Sequence, residues 1–188
     1  MNRHVLIAFV SLVLGLSSAC NFSIGGFPDT DKANKLVDES NALQTEGMKL
    51  KDDAVAKYKD LLKDNPTFEE MADLADPMKE VEKQLETSKS KLGEAASKSD
   101  EASKLNIADW FKQYLAARGE HLRKESEVAG LAAQLVKISY DPAVATEEDF
   151  QAQSKQLNDK LAQLRKEQDE LKAKVDKISE EHKDDFKK

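Results

Sequence analysis

The chain has 188 residues, 29 Lys and Arg against 36 Asp and Glu for a formal charge of -7, and one cysteine. Charged residues make up 35% and aromatics 6%, with seven glycines and four prolines, a composition of long helices rather than sheets. The acidic balance argues against nucleic acid, which needs a concentrated basic face, and a lone cysteine excludes an intramolecular disulfide. The first element runs from Arg3 through an apolar stretch, Val5 to Leu16, to the small residues Ser17-Ser18-Ala19 before Cys20. A short basic start, an apolar run and a small-residue end read as an export signal. About 15 apolar-dominated residues fall short of the ~20 needed to span a bilayer.

The segment Leu16-Ser17-Ser18-Ala19-Cys20 resembles the lipobox of bacterial lipoproteins. The resemblance implies that the Cys20 thiol is diacylated and that a dedicated peptidase then cuts between Ala19 and Cys20. That chemistry needs a small residue before the cut and a thiol to take the lipid, and both are present. Ser17 stands where the commonest pattern has a large aliphatic residue, with Leu16 one position further away. The alternative is an ordinary secretory signal cut near Ala19 that leaves Cys20 as a thiol. Loss of Arg3 takes the formal charge from -7 to -8, so anionic lipid repels the protein surface and the acyl chains hold it to the membrane. Asn21 is not the aspartate that retains enterobacterial lipoproteins in the inner membrane, which by resemblance implies the outer membrane of a Gram-negative cell.

The expected organisation is a signal peptide over 1–19, a lipidated tether over 20–30 and an all-α domain over 31–188. The tether has no helical period and contains Gly25-Gly26 and Pro28. Thr30 is the expected cap of a first helix over 31 to about 62, with Leu36, Leu43 and Leu50 in one heptad row and Ala33, Ser40, Gly47 and Ala54 in another. Asn65-Pro66 ends it, and Thr67-Phe68-Glu69-Glu70 reads as a capping box opening a short turn. Asp76-Pro77 restarts the chain into a second long helix, with Val81, Ser88, Ala95 and Ala102 as a small-residue seam for close helix approach.

Asn106 with Asp109 predicts a new helix start after a bend near 105–107; the alternative is one uninterrupted helix over 77–138. The third helix holds most of the aromatic mass, in Trp110, Phe111 and Tyr114, which reads as a core plug at one end of a bundle, the alternative being an exposed anchor for a partner. Ser139-Tyr140-Asp141-Pro142 breaks it, and Thr146 starts a fourth helix with the clearest heptads, from Phe150 to Ile178 and from Ser154 to His182. Short connections predict an elongated antiparallel bundle of about four long helices; the alternative is a hairpin that completes its core by oligomerising through the fourth helix.

The search for chemistry is mostly negative. His121 and His182 lie in no metal-binding pattern, no nucleophile motif or phosphate loop is present, and neither metal nor cofactor is expected. Arg118 and Glu125 share a heptad row with Phe111 and Ala132, which predicts partial exposure or an ion pair that fixes register, with a polar pocket inside the bundle as the alternative. The ending Phe186-Lys187-Lys188 resembles, weakly, that of the murein lipoprotein, on which analogy Lys188 would join peptidoglycan. The expectation is a lipid-anchored envelope protein that works as a spacer or through a protein partner or self-association along its heptad seams. A carrier for a small apolar ligand is the second reading.

Overall fold

A computed structural model describes residues 27–64 and 66–185. Cys20, Ala19, Asn65 and Lys188 lie outside the described residues. Five helices follow in chain order: α1 Thr30–Leu61, α2 Phe68–Asp73, α3 Ala75–Ser103, α4 Asp109–Ile138 and α5 Glu147–Glu181. No strand occurs among the described residues, and the fold is the expected all-α antiparallel bundle.

The boundaries follow local chemistry. Thr67 accepts from the Glu70 backbone N–H at 3.3 Å, and the Glu70 carboxylate accepts from the Thr67 N–H at 2.7 Å, so the capping box is complete. Thr146 caps α5 through the Asp149 N–H at 3.1 Å. Two expected caps differ. Asp29, not Thr30, precedes α1, and the Thr30 hydroxyl points backward to donate to the Phe27 carbonyl at 3.0 Å. Asn106 does not cap α4, which starts after Ala108; its backbone N–H instead donates to Asp29 Oδ2 at 2.9 Å. That bond ties the segment before α1 to the turn between α3 and α4, and the turn itself rules out the uninterrupted helix.

The small-residue seams bring α1 and α3 together. Ser40 Oγ donates to the Ala95 carbonyl at 2.8 Å, and one heptad further Ser88 Oγ donates to the Gly47 carbonyl at 2.7 Å. The seven-residue step carries the same antiparallel pairing to Ala54 beside Val81 and to Ala33 beside Ala102, each pair within one buried cluster. Side chains this small let backbone carbonyls serve as acceptors across the interface, which larger residues would block. On the other face of α3, Ser126 Oγ of α4 donates to the Lys89 carbonyl at 2.8 Å, while Arg123 pairs with Asp100.

The antiparallel order continues with α5 along α4: Leu157 and Leu161 pack on Leu135, Lys124 meets Glu167 at 3.0 Å, and His182 stacks on Trp110 at 4.3 Å. Five of the 35 residues of α5 are buried, against 12 of 30 in α4, so α5 is the outermost strut of the bundle. Two polar atoms of its seam, Ser154 Oγ and Gln168 Nε2, are buried without a hydrogen-bond partner among the described residues, which lessens what the contact gains. The fourth long helix thus packs within the chain, along α4.

An even number of long helices returns the chain to its starting end. Phe27, the 104–108 turn, Trp110 and His182 all sit there, over a buried cluster that includes Ala33, Ile107, Phe111 and Leu115. The expected aromatic plug is this cluster. The far end is built on Tyr58, Met71, Met78, Val144 and Phe150, with α2 folded over it.

Candidate functional site: a polar layer between α1 and α4

Between these two apolar ends lies a belt of buried and partly buried polar groups. Its origin is a heptad row on α1, Val37, Gln44, Lys51 and Tyr58, that faces the α4 row Phe111, Arg118, Glu125 and Ala132. Each member meets the one 74 positions on: Val37 and Phe111 share a cluster, Gln44 bonds Arg118, Lys51 pairs with Glu125, and Tyr58 and Ala132 share a cluster. The two helices run parallel, so one offset serves the whole length. Apolar residues close the row at both ends, and the polar pairs occupy its middle.

Arg118 is only 3% exposed. Its Nη2 donates to Asn41 Oδ1 at 2.6 Å and to Gln44 Oε1 at 2.8 Å, two neutral acceptors on α1. Among the described residues no carboxylate pairs with it. Burial lowers the pKa of the guanidinium, against a smaller opposing pull from Tyr114, yet a guanidinium starts so high that it remains charged. A buried cation held only by amide oxygens is costly, and the two short bonds offset part of that cost.

Two turns along, Lys51 Nζ donates to Glu125 Oε2 at 2.8 Å, both side chains about 15% exposed. The expected ion pair at Glu125 is thus real but its partner is Lys51, and Arg118 and Glu125 act separately. His121 lies beside them, with Glu125 of α4, Lys51 of α1 and Lys172 and Asp176 of α5 in its field. Burial is the largest influence on the imidazole and lowers its pKa, so it is neutral at pH 7. The layer thus brings charged groups of three helices together in the bundle interior, whereas the other interhelical ion pairs, such as Lys98–Glu39 and Arg123–Asp100, lie nearer the surface.

A depressed histidine pKa has a defined sign for stability. Its contribution is fully present above the unfolded value of about 6.5 and is lost as pH falls from there through the lower folded value. The melting temperature is therefore expected to drop from about pH 7.5 to about pH 5.5, and His121→Gln is expected to shrink that drop. Thermal unfolding by circular dichroism at the two pH values checks it; an identical drop in the variant would contradict the role given to His121.

His182 is half-buried on the Trp110 ring, with Nδ1 3.3 Å from Asp185 Oδ2. Among the described residues no three His, Cys, Asp or Glu side chains gather as a metal site, and no helix is long and apolar enough to cross a membrane. Sequence reasoning missed Asn41, Gln44, Lys51 and His121 as members of the layer. The signal was available, since the α1 row is polar at the same two steps as the α4 row. Comparison of the chain with protein families, with curated proteins and with solved structures gives no match.

Proposed function

We propose that this is a lipid-anchored cell-envelope protein whose helical bundle works as a structural or protein-interaction module without catalysis. The observation that carries the reading is the lipobox-like segment ending at the only cysteine, Cys20. The fold is compatible with it: α1 begins ten positions after Cys20, and no described helix is long and apolar enough to cross a membrane. The polar layer supports a rigid module, because two separate interhelical pairings fix one register of α1 on α4. By resemblance at Asn21, the protein would sit in the outer membrane facing the periplasm if the cell is Gram-negative.

Two other readings are less well supported. A carrier for a small apolar ligand needs a void, whereas the α1–α3 seam is closed by contacts too tight to admit one. A peptidoglycan-linked spacer through Lys188 needs its two attachments at opposite ends. The chain instead reaches His182 at the end where α1 starts, three residues before the final described position, Asp185.

Intact mass of the full-length product, made in a host that processes lipoproteins, tests the proposal. Loss of the first nineteen residues with a gain of acyl mass, absent from Cys20→Ala, is the expected result. A cleaved but unacylated chain would make this a soluble exported bundle and end the anchoring reading.

A further inference from the structure

We infer that the bundle stands on the bilayer on one particular end, the one built from Phe27, the 104–108 turn and the 182–185 segment, with the α2 end held away from the lipid. The inference rests on the anchoring of Cys20 proposed above and adds an interaction surface and an orientation to it.

Three observations point the same way. The first is reach. Phe27 is held by two bonds from Thr30 to its carbonyl, and Asp29 is held by the Asn106 N–H. Only seven Cα steps separate Phe27 from Cys20, so the lipidated residue lies within roughly 25 Å of this end however the intervening chain runs. The second is length. The 32 residues of α1 put the far end about 48 Å further on, beyond the reach of the tether.

The third is charge. Segments 59–79 and 137–149, which form the far end, carry ten carboxylates and four lysines, a formal -6 out of the -8 that remains once Arg3 is lost with the signal. Segments 27–35, 104–112 and 177–185, at the near end, carry seven carboxylates and six lysines, a formal -1. An anionic bilayer therefore repels the α2 end far more strongly than the tethered end, which opposes lying flat. The near end also presents Phe27, 40% exposed and the one large hydrophobic side chain so exposed among the described residues. An aromatic ring is suited to the headgroup region, so this end meets lipid at the least cost.

Energy transfer to a labelled lipid tests the orientation. Once Cys20 is tied up in its thioether, a single introduced cysteine takes the donor dye: Asp109→Cys at the near end or Glu148→Cys at the far end, both exposed positions. The acylated full-length protein, with its mass and helicity verified, is placed in vesicles of phosphatidylethanolamine and phosphatidylglycerol with an acceptor on the headgroup. Transfer from position 109 is expected to exceed that from position 148 several-fold. Equal transfer would mean a bundle lying flat, and stronger transfer from 148 would mean the opposite orientation; either overturns the inference while leaving the anchor intact. A product without acyl mass overturns the anchor itself, and the orientation with it.

Discussion

Replacing Asn41 and Gln44 together by leucine is expected to destabilise the protein by about 3–5 kcal/mol, the range for stripping a buried charge of its partners. Both acceptors of the Arg118 guanidinium disappear, and the cation is left 3% exposed with neither a carboxylate nor an amide oxygen. The informative variant is the triple one. Adding Arg118→Met removes the charge itself and fills similar volume with apolar atoms, and should recover most or all of the loss, because well-packed hydrophobic replacements of buried ionic groups are commonly neutral or better. Urea unfolding of the wild type, the double and the triple variant measures this. If the double variant unfolds like the wild type, Arg118 reaches water and the layer is not a buried one.

The second large effect is expected at the α1–α3 seam. A Cβ on Gly47 would lie 2.9 Å from Leu92 Cγ and 3.2 Å from Lys91 Cβ, and Leu92 is fully buried with no open side to move into. The Ser88 hydroxyl bonded to the Gly47 carbonyl holds the two helices at that separation. Gly47→Val is expected to force them apart at a cost of about 3 kcal/mol, near the upper end for overpacking. For a chain of this size that is a melting temperature lower by roughly 10 °C. Gly47→Ala adds the same Cβ without the branches and should lose less, so the two variants ranked by calorimetry separate steric pressure from any effect of helix propensity, which favours alanine over glycine. A valine variant as stable as the wild type would show that the seam has slack.

Much of this architecture was written in the heptads. Ala33, Ser40, Gly47 and Ala54 and their counterparts Val81, Ser88, Ala95 and Ala102 identify a close seam, because small residues at every seventh position serve little else. The break between α3 and α4 was legible from Asn106 to Asp109, although for a different physical reason: Asn106 acts through its backbone and a contact 77 residues away, which local capping rules do not describe. Thr30 shows the same limit on a smaller scale, since its hydroxyl serves the turn before the helix rather than the helix itself.

The polar layer was half visible. Arg118 and Glu125 stand out in their row because a charge interrupts apolar residues, and the register-fixing pair was expected between such groups. What stayed hidden was the partner helix. α1 and α4 are not consecutive in the chain and their contact is made by long side chains, so no turn or loop length announces it. Only matching the two rows at a constant offset, Gln44 with Arg118 and Lys51 with Glu125, reveals it, and that offset becomes evident once one pair is known.

The shared location of entry and exit, marked by the Asp29–Asn106 bond and the stack of His182 on Trp110, has a mechanical consequence. A load applied between residues 29 and 182 does not run along the helices but peels α1 and α5 away from their neighbours, one row of contacts at a time. Such unzipping yields at low force, whereas the same helices pushed along their axes resist together. The fold is therefore stiffer to compression along its axis than to tension between residues 29 and 182.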